Sequence, residues 1–243
     1  MAVRFCSLLS GGKDSNYALY RALLNRWEPA CILIVESERK DSWMFHTIAT
    51  GMAKLQAEAM GLGDKVRVVK VSGVKEREVE ELARALESLH RSVGFDIITV
   101  GALASSYQRR RIEGVAERLG VEIYAPAWMV DHEYYMKHLV STGFKIVIAR
   151  ISTMGLPHSL LGKVLSLEDV EEIVRRSRIH GFHPAFEGGE AETLVIDAPH
   201  YRKSILIEAK TAILSPYESE LVILGAALVP KGRGGVRVSR GTS

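Results

Sequence analysis

In the first half of the chain, apolar runs of strand length alternate with stretches whose apolar residues recur at helical spacing. No other feature narrows the possible folds as far. The runs cover residues 3–9, 30–35, 66–71, 96–100 and 121–124, and the helical stretches between them cover 16–27, 46–60, 76–89 and 107–119. Short, continuous apolar strands joined by helices predict a parallel, doubly wound α/β sheet buried on both faces. The first helix is expected to turn Tyr17, Tyr20, Leu23, Leu24 and Trp27 inward, and the third Val79, Leu82, Ala83, Leu86 and Leu89. Ligands of such sheets bind outside the carboxyl ends of the strands.

The first strand runs directly into Ser10-Gly11-Gly12-Lys13-Asp14-Ser15. A strand, a glycine turn and a helix N-terminus in that order make an anion site. The glycines let the backbone N–H groups converge, and the helix dipole adds positive potential. Lys13 adds a cation, Ser10 and Ser15 add hydroxyl donors, and Asp14 is the candidate to hold Mg²⁺ against phosphate oxygens. The Walker A pattern requires a glycine five positions before its Gly-Lys and a Ser or Thr after the lysine. Ser7 and Asp14 stand there instead. The six residues resemble the pyrophosphate loop (PP-loop) of the N-type ATP pyrophosphatases, which split ATP between its α and β phosphates. The plainer alternative is an ordinary strand-to-helix turn with solvated polar residues.

The pattern changes near residue 130. Helices are expected over 131–142 and 167–179, the latter opened by Ser166 with Asp169 three residues on. Strands are expected over 145–151, 193–196, 204–207 and 221–229. This divides the chain into a nucleotide-binding domain (1–130), a smaller C-terminal α+β substrate domain (131–230) and a Gly/Arg-rich flexible basic tail (231–243). The net charge of +3 is too small to make nucleic acid the main partner. No apolar run approaches the ~20 residues of a membrane helix. The first strand begins at once, leaving no room for a signal peptide, and Cys6 and Cys31 sit in apolar runs as small core residues and not as a disulfide or metal pair. Together these readings predict a cytoplasmic protein.

A second informative stretch is Phe186-Glu187-Gly188-Gly189-Glu190-Ala191-Glu192-Thr193. Three carboxylates around a Gly-Gly turn are costly unless a cation, such as a magnesium nucleotide, ammonium or a cationic substrate, sits among them. An exposed acidic turn is the alternative. After the later strands, Val35, His46 and Gly101 are positioned to meet a nucleotide, although a capping or buried histidine would also suit position 46. Arg109 to Arg111 point around their helix, so most of them belong to a solvated face. His180 and His183 lack cysteine partners for a zinc site.

Taken together, Ser10 to Ser15, Met44-Phe45-His46, Gly101 with Tyr107-Gln108, Pro126 with Trp128, Leu161-Gly162-Lys163, Glu187-Gly188-Gly189-Glu190 with Glu192-Thr193, and Asp197-Ala198-Pro199 with Tyr201 and Lys203 resemble the diphthine–ammonia ligase family. The resemblance covers about residues 3–210. Ser106 departs from it where an acid often precedes Tyr-Gln, and Phe186 departs where a glycine often precedes Glu187. The resemblance implies a HUP-type PP-loop ATPase fold and the last step of diphthamide synthesis. ATP would adenylate the diphthine carboxylate on elongation factor 2, and ammonia, by default free ammonium, would displace AMP. It implies Lys13, Asp14, Glu187, Glu190 and Glu192 as catalytic residues, and Tyr107, Gln108, Trp128 and Lys163 as substrate contacts. Trp128, Tyr134 or Tyr135 could offer cation–π contact to the quaternary ammonium of diphthine, with Glu190 or Glu192 as counter-charge. A homodimer is open. Two other readings are another PP-loop adenylating enzyme, such as a tRNA-modifying ligase or thiolase, and a non-enzymatic nucleotide-binding module.

Overall fold

The computed structural model describes residues 2–37, 47–101 and 106–239. The chain divides into two compact units, Met1–Glu58 with Leu62–Trp128, and Ala59–Gly61 with Met129–Ser243. In the first unit the elements are β1 (Arg4–Leu8), α1 (Lys13–Leu24), β2 (Glu28–Ser37), α2 (Thr47–Met60), β3 (Val66–Val71), α3 (Lys75–Val93), β4 (Ile97–Thr99), α4 (Ser106–Leu119) and β5 (Glu122–Tyr124).

The five strands form one parallel sheet in the order β3-β2-β1-β4-β5. The order reverses between β1 and β4, so a crevice opens where the carboxyl ends of these two strands diverge. Period-two alternation gives each strand two apolar faces. Cys6, Leu33, Ile98 and Val100 pack with Leu82, Ala83 and Leu86 of α3 and with Ile112, Val115 and Ala116 of α4. The intervening Phe5, Leu9, Ile32 and Ile34 are equally buried and point to the opposite face. There α1 packs on β1 and β4.

Two expectations need correcting in this unit. Of the residues expected inward on helix α1, Tyr17 is buried, but Leu24 is 57% exposed and Tyr20, Leu23 and Trp27 are half-buried, and the helix instead buries Ser15, Ala18, Leu19 and Ala22. The small residues let the helix lie close against the sheet, which displaces the larger side chains to its flank. Cys6 and Cys31 are joined as a disulfide. They are register partners on adjacent parallel strands, with Cα atoms 4.6 Å apart. Their core burial was legible in the sequence, but that register was not.

The second unit contains α5 (His132–Ser141), β6 (Lys145–Ser152), α6 (Leu167–His180), β7 (Ala191–Asp197), β8 (Lys203–Ser215), β9 (Glu218–Pro230) and β10 (Gly235–Val238). Its mixed sheet has the order β10-β8-β9-β6-β7, with α5 and α6 packed on each other. Helix α6 starts with the expected capping box: Ser166 Oγ accepts from Asp169 N, and the Asp169 carboxylate accepts from Ser166 N. Burial alone would raise the Asp169 carboxyl, but Lys163 and Ser166 together hold it below its ordinary range.

The basic segment from Lys231 onward is not a flexible tail over its described length. Residues 235–238 form β10, parallel to β8 and in register with 206–209. The segment passes closest to β8 at Gly234. A Cβ at Gly234 would lie 2.8 Å from the Ile205 carbonyl oxygen and 2.9 Å from the Ser204 Cβ. The buried Asp197 carboxylate anchors the turn, accepting from Lys231 Nζ, Ser204 Oγ and Gly232 N.

Beside this anchor, His200 packs against the rings of Phe144 and Tyr201. Burial, reinforced by the Lys231 charge, pushes its imidazole down to about 3. The unfolded chain takes up this proton below pH ~6.5, whereas the fold keeps the ring neutral. The contribution to stability is therefore complete above that pH and is lost as pH falls toward about 3. Between pH 7 and 4.5, His200→Phe is expected to lose about 2 kcal/mol less than the wild type, as read from urea midpoints. Equal losses would show that His200 does not set the acid sensitivity.

Candidate functional site

The loop after β1 lies at the switch point of the first unit. Gly11 adopts φ 94°, a left-handed turn that a side chain would strain. Helix α1 begins at Lys13 with Gly12 as N-cap, a residue with no side chain to cap the helix. The first-turn N–H groups of α1 are the natural donors for an anion. Ser15 Oγ donates to the Gly12 carbonyl (3.2 Å), accepts from Ser10 N (3.2 Å) and lies 3.1 Å from Ser10 Oγ. Lys13 is only 3% exposed, and its ammonium donates to Asp14 Oδ2 at 2.8 Å. The cation is therefore held beside the loop and does not wave in solvent.

Two residues that the sequence reading missed hold this loop. Gln56 of α2 donates through Nε2 to the Gly11 carbonyl (2.8 Å), and its Oε1 accepts from Asn16 Nδ2 (3.2 Å). Asn16 Nδ2 also donates to the Gly12 carbonyl at 2.9 Å. Both amides are fully buried. The available signal was an amide at position 56 on a helix face otherwise made of Met52, Ala53 and Ala57. Gln56→Leu keeps the volume but takes this donor from the buried Gly11 carbonyl, at about 1–3 kcal/mol, and one of the two acceptors from Asn16 Nδ2. The variant is expected to lose about 2 kcal/mol in urea unfolding and to weaken nucleotide binding. An unchanged midpoint would remove Gln56 from the loop's support.

Gly101 follows β4 across the crevice. A Cβ there would lie 2.9 Å from Ser15 N and 3.1 Å from Asp14 Cβ, so only glycine allows the β4 end to approach α1 this closely. Val35 lies near the carboxyl end of strand β2, paired with Val69, and its side chain is in the core. His46 falls outside the described residues. Tyr107 and Gln108 occupy the first turn of α4, and their side chains are not described. Trp128 borders a groove of about 450 Å³ that runs along β5 and α4 past Glu113, Glu117 and Ile123.

The remaining candidates belong to the second unit. Lys163 Nζ is 2.6 Å from Asp169 Oδ1 and so extends the α6 capping box. Tyr135 is 2% exposed and serves the core, whereas Tyr134 is 63% exposed and stacks on His138. The acidic turn is closely tied together. Glu190 accepts from His183 N and Gly188 N, both at 2.8 Å, while its own carbonyl accepts from Ser152 N. Glu192 faces Arg150 across the β6–β7 ladder, with Nη1–Oε1 3.9 Å. Phe186 has φ 63°. This left-handed conformation costs roughly 1–2 kcal/mol, but burying a phenyl ring outweighs it, so phenylalanine persists at a turn position suited to glycine.

A glycine turn leading into a helix N-terminus at the switch point of a five-stranded parallel sheet defines an α/β protein, followed here by a mixed-sheet unit. Residues 3–123 match the diphthamide synthase N-terminal domain, and residues 131–219 match the diphthamide synthase C-terminal domain. The chain is 32% identical over 231 residues to a diphthine–ammonia ligase of Danio rerio, covering 87% of this chain and 89% of that protein. It is 29% identical over 229 residues to the diphthine–ammonia ligase of Mus musculus, covering 87% and 85%. A further relative, the diphthine–ammonia ligase of Schizosaccharomyces pombe, is 28% identical over 225 residues, which span 37% of that longer protein. The chain belongs to the diphthine–ammonia ligase family.

Proposed function

We propose that the chain is a carbon–nitrogen ligase that amidates the diphthine carboxylate of elongation factor 2 with ammonia, using ATP and releasing AMP and pyrophosphate. The observation that supports this most directly is the Gly11-Gly12 turn that opens α1 with the buried Lys13 beside it, in a chain similar to named diphthine–ammonia ligases. The carboxylate oxygen attacks the α-phosphorus, and the bond to the β-phosphate oxygen breaks. Ammonia then attacks the acyl carbon, the carbon–oxygen bond to AMP breaks, and a proton is lost to a base.

The loop amides, Ser10, Ser15 and Lys13 neutralise the charge that builds on the leaving pyrophosphate. Gly101, Val35 through its backbone, and His46, which lies outside the described residues, are assigned to the nucleoside. Asp14 is a single carboxylate, which suits Mg²⁺ that arrives on the nucleotide and takes most of its ligands from phosphate and water. No group of three or more metal-binding side chains occurs among the described residues. Mg²⁺ would supply further charge neutralisation at the phosphates. Tyr107, Gln108, Trp128 and Lys163 are assigned to the acceptor. Because Lys163 also serves Asp169, it must exchange that partner to contact substrate. Glu187, Glu190 and Glu192 are assigned to ammonium and to the proton lost on amidation. Glu190 and Glu192 also brace the turn that carries Glu187. No described helix is long and apolar enough to cross a membrane, and the reaction is placed in the cytoplasm with elongation factor 2.

The test supplies ATP, ammonium and diphthine-bearing elongation factor 2. Amide, AMP and pyrophosphate should appear together. ADP and phosphate formed in step with substrate consumption would overturn the assignment of the loop.

A further inference from the structure

We propose that His183 is a positioning residue for this amidation, holding the acidic turn through a neutral imidazole; the functional part of the proposal rests on the ligase reading above. His183 Nδ1 accepts the backbone N–H of both Ala185 and Glu187, each at 3.3 Å. The backbone N–H of His183 donates in turn to Glu190 Oε1, whose other oxygen takes the Gly188 N–H. The His183 carbonyl accepts from Phe186 N at 2.9 Å. One residue thus binds the turn at four points, and the amide of Glu187 is among them. The sequence signal was weak, a histidine four residues before the Glu-Gly-Gly-Glu stretch and without a metal partner.

An imidazole nitrogen that accepts two N–H bonds carries no proton, so the proton of the neutral ring sits on Nε2. Protonation turns Nδ1 into a donor facing two donors and releases the Glu187 amide. The turn should therefore be formed at neutral and basic pH and loosen as pH falls. Among the described residues, the titratable groups near the ring come from three elements. From α5, the His132 ring meets it edge-on at 4.2 Å. From the turn itself come Glu187 and Glu190, and the Arg150–Glu192 pair lies where the turn joins β6 and β7. A proton on His132 would oppose a second one on His183.

The experiment uses the full chain and four variants. His183→Asn places an amide oxygen where Nδ1 sits and cannot titrate. His183→Gln carries its oxygen one carbon further, and His183→Ala has none. With saturating ATP at pH 8, the Asn variant should keep kcat for amide formation within about threefold of wild type. The Gln and Ala variants should lose at least 30-fold in kcat with the KM for ATP unchanged. The acid limb of the wild-type profile should persist in His132→Phe and move to lower pH, toward the carboxylate range, in His183→Asn. Amide-exchange protection at Glu187 and Gly188, which requires no substrate, should fall on acidification in wild type and stay level in His183→Asn. Wild-type turnover in the Ala variant, or an unchanged acid limb in the Asn variant, would overturn the proposal. If wild-type protein forms no amide, the ligase reading fails, and the protection factors still uphold or overturn the His183 contact.

Discussion

Lys13→Ala is expected to lower kcat at least 100-fold while ATP still binds and the sheet of the first unit stays folded. The leaving pyrophosphate gains charge as its bond to the α-phosphorus breaks, and a fixed cation at that point stabilises the transition state more than the ground state. Removing one such group from a water-poor site typically costs ~3 kcal/mol of transition-state stabilisation. The structure adds a condition that the sequence did not suggest. The Lys13 side chain is only 3% exposed, so truncation removes packed methylenes as well as charge. Lys13→Met keeps the stem and separates the two effects. It should match Lys13→Ala in turnover and match wild type in urea midpoint. Turnover within tenfold of wild type in the Met variant at saturating ATP would take Lys13 out of the chemistry.

Asp197→Ala should unfasten the end of the second unit. The carboxylate is 6% exposed and accepts from Lys231, Ser204 and Gly232. Losing it leaves the Ser204 hydroxyl, which is fully buried, with fewer partners and frees the Lys231 ammonium, whose side chain is 45% exposed. Breaking a fully buried pair costs about 3–5 kcal/mol. Exposure of Lys231 to water lowers the expectation to about 2 kcal/mol, because the freed ammonium is rehydrated. Hydrogen exchange at residues 235–238 should accelerate, while exchange in the first unit stays as in wild type. Unchanged protection in β10 would mean that its pairing with β8 holds the segment without the anchor.

Local periodicity carried much of the architecture. The strand and helix order of the first unit, the parallel sheet, the loop at its carboxyl edge and the Ser166–Asp169 capping box all depend on residues within a few positions of one another, and such patterns are readable along a chain. The Ser10–Ser15 loop and the Glu187–Thr193 stretch stood out for the same reason, since their chemistry is concentrated in consecutive residues.

What escaped the sequence depends on partners far along the chain. Cys6 meets Cys31 because β1 and β2 pair in one register, which two apolar runs do not specify. Gln56 supports Gly11 across 45 residues, and Asp197 anchors Gly232 across 35. The Gly/Arg composition of the C-terminal segment suggested disorder, yet Gly234 permits close passage along β8 and residues 235–238 pair with it. The same limit holds at the acidic turn. The sequence showed three carboxylates together, but the folded turn gives Glu190 to its own backbone, and strand pairing sets Glu192 opposite Arg150 from 42 residues away. Composition and spacing name the groups a site can use; only the folded backbone determines which donors reach them, because a hydrogen bond is decided by position to within a fraction of an ångström.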